Sequence, residues 1–133
     1  MIDVDARHDG PQSLARLEAA HGPLPETVEC RTGGGGRHLY FAHPGVRVRN
    51  RVGIVPGIDV RGDGGCVVAP PSIHPTGRSY AWVPGHGPDE VACARMTGWL
   101  LALIRDDDRR RAATETPRRT RTGMRATGPS ANG

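Results

Sequence analysis

The chain reads as a mixed α/β domain, α+β in class, with a mostly antiparallel sheet and flanking helices. Three observations predict this. Short segments alternating apolar and polar residues recur between glycine-rich turns. Two stretches, one near each end, place apolar residues at helical spacing. The chain holds 19 Gly and 12 Pro with only 4% aromatic residues, so turns are many and the core must rest on Val, Ile, Leu and Ala.

The elements follow in order. Residues 1–5 alternate as a strand, with Ile2 and Val4 on one face. Gly10-Pro11 opens a helix, Pro11 suiting its first position. Leu14, Leu17 and Ala20 or His21 give that helix its apolar stripe, and Gly22 stops it. Residues 27–31 and 37–42 read as two strands joined by the Gly33–Gly36 turn, forming a hairpin. Residues 44–57 read as a basic loop with Arg47, Arg49 and Arg51. Residues 57–61 and 66–69 read as short strands around the turn Gly62-Asp63-Gly64-Gly65, and Pro70-Pro71 ends the second. Residues 80–83 form a last short strand. Trp99, Leu100, Leu103 and Ile104 predict a closing helix over roughly 95–106. Residues 107–133 are charged, then Arg/Thr/Gly-rich, and are expected to be a disordered Arg-rich tail. No internal repeat is found.

Composition excludes several function classes. The length of 133 residues fits one modest domain. All 18 basic residues are arginine. A Walker-type phosphate loop, Schiff-base chemistry and lysyl-nucleotide chemistry all need a lysine and are excluded. Cys30, Cys66 and Cys93 form no C-x-x-C pair, which leaves a zinc knuckle little support. An odd cysteine count without a signal peptide fits free thiols in a cytoplasmic protein. No apolar run is long enough for a membrane span. The net charge of +4 and pI near 9.6 favour a polyanionic partner. Much of that excess lies from Arg109 to the end, where seven arginines face one glutamate.

Asp3 and Asp5 share one face of a strand, their Cα atoms about 7 Å apart. Two such carboxylates repel unless a cation sits between them, and hard oxygen ligands suit Mg²⁺ or Mn²⁺. Asp59, between Ile58 and Val60, repeats the pattern. Three strand-borne acids suit two metal ions about 4 Å apart, the arrangement that supports in-line attack at phosphorus. A solvated strand edge explains an Asp-x-Asp near a terminus equally simply. A calcium loop fails, because His8 stands where an EF-hand needs glycine.

Thr32-Gly-Gly-Gly-Gly-Arg37-His38-Leu39-Tyr40-Phe41 is the most unusual stretch. A glycine run lets backbone approach a ligand closely, and its N–H groups can meet phosphate oxygens. It does not lead from a strand into a helix, so a dinucleotide fingerprint fails. His38 and Tyr40 share one strand face; a surface histidine on a hairpin is the plain alternative. Arg61 shares the face of Asp59 and suits either a phosphate or a salt bridge with that acid. Ser72 and His74 follow Pro70-Pro71 and suit a ligand or a turn.

Taken in order, D-V-D, T-G-G-G-G-R-H-L-Y-F, G-I-D-V-R-G-D-G-G and A-P-P-S-I-H-P-T-G-R-S-Y-A-W resemble the N-terminal domain of bifunctional DNA primase/polymerases. This is the prim-pol branch of the archaeo-eukaryotic primase superfamily, and the resemblance runs from about Ile2 to Ile104. It implies a catalytic core resembling an RNA-recognition fold, with residues 1–106 as the C-terminal portion of the catalytic domain. An N-terminal lobe ahead of the first acidic motif is expected in the family and is missing here.

The resemblance implies that Asp3, Asp5 and Asp59 are catalytic metal ligands for two Mg²⁺ or Mn²⁺ ions. It matches His38 to the nucleotide-binding histidine; Arg61, Ser72 and His74 are added as nucleotide contacts. The implied activity is template-dependent nucleotidyl transfer in DNA replication, of a plasmid, phage or integrated element. Its partners would be a single-stranded DNA template, NTP or dNTP, and a separately encoded helicase. A truncated, non-catalytic single-stranded nucleic-acid-binding remnant, a subunit needing a separate lobe, and a two-metal phosphoesterase remain the alternatives.

Overall fold

The structure, a computed structural model, describes residues 1–127, with side chains described as far as Thr114. The elements are β1 (Ile2–Val4), α1 (Gly10–His21), β2 (Val28–Arg31), β3 (Arg37–Ala42), β4 (Arg51–Val55), β5 (Ile58–Val60), β6 (Ala81–Trp82), β7 (Ala94–Arg95) and α2 (Gly98–Thr127). The sheet runs β4-β5-β1-β3-β2-β6, and every neighbouring pair on that path is antiparallel. β7 adds to the end of β3 in parallel. The fold is thus the mixed α+β, mostly antiparallel class expected, with two helices.

Alternation decides the two faces. Ile2, Val4, Leu39, Ile58 and Val60 are buried on one face of the sheet. Leu14 of α1 and Leu100 and Ile104 of α2 pack with them into one core, joined by Val48 and Ile54. The opposite face carries the polar alternates Asp3, His38 and Asp59. α1 starts at the predicted Gly10-Pro11 and ends where Gly22 N–H donates to Glu18 O at 2.8 Å.

Four sequence expectations shift. The segment read as a basic loop contains β4. Pro56-Gly57 closes a tight β4–β5 hairpin, pairing Val55 with Ile58, and Gly57 adopts φ +78°. Pro then Gly at the centre of a two-residue turn is the signature of type II. Residues 66–69 form no strand: the sheet ends at β6 and β4, and this apolar run crosses the surface without a ladder partner. Val67 and Val68 are therefore exposed. β7, only two residues long, was not anticipated. The closing helix begins at Gly98 and does not stop at 106. Past that point Arg109–Asp106, Arg110–Asp107 and Arg111–Asp107 pair at i,i+3 and i,i+4 spacing, which supports helix in a segment with nothing apolar to bury. Of the expected disordered tail, residues 107–127 are helical. Side chains from 115 onward, and all of 128–133, lie outside the described residues. No helix among the described residues is long and apolar enough to cross a membrane.

Candidate active site

Sheet register builds the site. Asp3 stands directly opposite Asp59 on one side and His38 on the other. Facing residues of adjacent antiparallel strands have Cβ atoms roughly 5 Å apart. Asp59, Asp3 and His38 therefore form a row across β5, β1 and β3, at the middle of the sheet. The row continues through Cys30 of β2 to Trp82 of β6.

Each member is held differently. His38 Nε2 lies 3.5 Å from Asp3 Oδ1. Asp59 Oδ1 accepts the Gly53 N–H at 2.8 Å, and its Oδ2 lies 3.7 Å from an Arg61 guanidinium nitrogen. His38 is 7% exposed, and its Nδ1 has no hydrogen-bond partner among the described residues. Burying an unpartnered nitrogen is costly unless something meets it. Tyr40, two residues along the same face, leaves its hydroxyl in the same condition. Burial pushes the Tyr40 phenol up to about 12, with Cys30, Asp3 and Cys93 adding to the effect. Around them His38, Tyr40, Tyr80, Trp82 and His74 form a chain of ring contacts with centroids 5.7–6.5 Å apart.

Asp5 takes another course. β1 ends at Val4, and Asp5 opens the turn into α1. Its Oδ1 accepts the Arg7 N–H at 2.8 Å, and its Oδ2 meets His8 Nδ1 at 2.7 Å. The Arg7 N–H, then His8, hold its carboxyl below the usual carboxylate range.

A cleft of about 330 Å³ opens beside the row. It brings together Asp3, Asp5, His38 and His74 from the sequence expectation, with Arg7 and Tyr80 as additions. The glycine run shapes its wall. A Cβ on Gly33 would collide with His74 and the Arg78 carbonyl, and one on Gly36 with the Val4 carbonyl. Those two glycines let protein backbone, rather than a ligand, come close; Gly34 lies in the cleft wall. Asp59, at one end of the row, and Arg61 beside it lie outside this cleft. Ser72 is exposed in the surface segment before β6, its N–H bonded to Ala69 O and its carbonyl accepting Tyr80 N–H. The signal for Arg7 was its position two residues beyond Asp5, in the turn that α1 closes.

Among the described residues no group of three or more His, Cys, Asp or Glu is close enough to form a ready metal cage. The donor chemistry nonetheless fits a hard divalent cation at Asp3 and Asp59. Two carboxylates carried on facing Cβ atoms roughly 5 Å apart repel by up to about 3 kcal/mol at an effective dielectric of 20, a cost that a shared cation removes.

The row, the glycine hairpin wall and the Gly57–Gly65 strand-turn lie within residues 1–99, which match the family model for the bifunctional DNA primase/polymerase N-terminal domain. The chain belongs to that Prim-Pol family. No curated protein and no solved structure matches it. The Prim-Pol match ends in the first turn of α2, so the charged stretch from Asp106 onward lies beyond it. Membership makes DNA and nucleotides the substrates of the family to which this site belongs.

Proposed function

We propose that this Prim-Pol chain carries out template-dependent nucleotidyl transfer, with the row Asp59–Asp3–His38 as its centre. The row itself carries the reading: two acids and a buried histidine in register across three central strands. Asp3 and Asp59 would hold a Mg²⁺ or Mn²⁺ ion, which when bound neutralises phosphate charge and favours ionisation of an attacking hydroxyl. A second ion would need Asp5, and so would need Asp5 to leave Arg7 and His8. Arg7, His38 and His74 line the cleft as phosphate contacts. Arg61 offsets Asp59 when no cation is present.

The engagement of Asp5 with the α1 turn favours a second reading, in which the chain binds single-stranded DNA without chemistry. Nucleotide incorporation on primed and unprimed single-stranded DNA separates the two. The first reading expects Mn²⁺- or Mg²⁺-dependent extension, reduced at least about a hundredfold in Asp3→Asn and in Asp59→Asn. In His38→Ala the apparent KM for nucleotide should rise more than kcat falls. Equal background in wild type and variants would leave only the binding role.

A further inference from the structure

A second charged site lies away from the acidic row. A cleft of about 910 Å³ opens between the segment before β4 and the α2 surface. Arg47, Arg49 and Arg51 line one wall, and Arg109, Arg110 and Arg111 the other, against Asp107 and Asp108. It shares no residue with the cleft beside Asp3. Arg51 pairs across from Val60, on the face opposite Asp59.

The acids here are already committed. Arg51 Nε donates to Asp108 Oδ1 at 2.9 Å, and Arg111 Nε to Asp107 Oδ2 at 2.8 Å. Arg111 also donates to the Val52 carbonyl at 3.2 Å, tying α2 to the edge strand. These pairs form the floor. Above it Arg47 and Arg49 are exposed and make no ion pair among the described residues. Arg109 and Arg110 are 78% and 68% exposed, with acid partners no closer than 3.5 Å and 3.8 Å. Pairs this open contribute little and exchange readily for another anion.

The first wall is rigid. Val48 is buried in the core, which turns its neighbours Arg47 and Arg49 outward. Asp63 Oδ2 accepts the Val48 N–H at 3.0 Å, and Asp63 Oδ1 meets His43 Nε2 at 2.7 Å. Asn50 Oδ1 accepts the Gly62 N–H at 2.8 Å. The backbone that carries Arg47 and Arg49 is thus held opposite α2, and a cleft of about 910 Å³ has room for more than one phosphate.

We infer that this cleft binds the phosphodiester backbone of single-stranded DNA, as a site separate from the catalytic row. The choice of DNA rests on the Prim-Pol assignment; the site does not rest on catalysis. Its selectivity is for backbone rather than base, since guanidinium forks read phosphate.

The test uses the full chain, a fluorescent oligodeoxythymidylate and fluorescence anisotropy from 50 to 200 mM salt. Four open arginines give a log–log salt slope near −3, hence about fifty-fold weaker binding across that range. Arg47→Ala/Arg49→Ala should flatten the slope by about 1.4 and leave the far-ultraviolet dichroism and melting temperature unchanged. Arg109→Ala/Arg110→Ala should act similarly. Wild-type affinity and slope in both double variants would overturn the inference. So would competition by polyglutamate at the same charge concentration as unlabelled DNA. If Asp3→Asn/Asp59→Asn loses DNA binding while the arginine variants keep it, DNA sits on the catalytic face alone and the inference fails. If wild type extends no primer yet binds DNA through these arginines, the inference stands and the catalytic reading falls.

Discussion

Asp3 and Asp59 face each other across two strands with His38 and Arg61 on their outer flanks. Their mutual repulsion makes a stability prediction independent of turnover. Without divalent cations, Asp59→Asn should melt higher than wild type, by about 1–2 kcal/mol after the offset from Arg61. Added Mn²⁺ should raise the melting temperature of wild type and not of the variant. A hundredfold excess over Kd would contribute about 2.7 kcal/mol. Equal Mn²⁺ responses in scanning calorimetry would exclude this pair as the cation site. Tyr40 makes a prediction of opposite kind. Its folded pKa is raised from 10.0 to about 12. The associated stability is intact below pH 10 and lost as pH rises toward 12, at most about 2 kcal/mol. Tyr40→Phe should flatten that alkaline limb in urea melts. It should also stabilise slightly near neutrality by removing an unpartnered buried hydroxyl.

At the scale of elements, Pro56-Gly57 makes β4 and β5 into a hairpin and brings Gly57 against Gly10 and His8. A Cβ on Gly57 would collide with Gly10 N and the His8 carbonyl, at a φ that other residues rarely adopt. Gly57→Ala should therefore cost roughly 2–3 kcal/mol and loosen the α1 start. A lowered urea midpoint with unchanged m-value would check it. Alternation made β1, β2, β3 and β5 legible, and with them the shared face of Asp3 and Asp59. β4 was hidden because Gly53, at φ +66° and in an irregular register, breaks the alternation. The Pro-Gly pair was the available signal. Residues 66–69 misled in the other sense: apolar residues suggest a strand, but only a neighbouring edge makes one. Asp5 was legible as an acid beside Asp3 and not as a turn residue. That depends on where β1 ends, and on Arg7 and His8 being near enough to claim it. The basic cleft was legible only as two separate arginine runs, since Arg109 comes 58 positions after Arg51.

At the scale of the molecule, both helices cover one face of the sheet and leave the face of the Asp59–Asp3–His38 row uncovered by helix. Ile104 and Leu100 of α2 complete the core beneath the strands that carry the row. Ile104→Ala should cost about 2–5 kcal/mol. Titration by urea should show that loss, while extension measured on the folded fraction stays near wild type. A strong fall in kcat at full folding would mean that α2 positions the row and does more than support it.

The middle place of β1 has a consequence for timing. Its partners lie at residues 37–39 and 58–60, so its two edges can pair only in turn as the chain leaves the ribosome. The β2–β3 and β4–β5 hairpins close over short distances and need not wait. Asp3 can thus meet His38 before Asp59 has left the ribosome. The nascent chain holds its first acid beside a histidine for a time, and the like-charged neighbour arrives last.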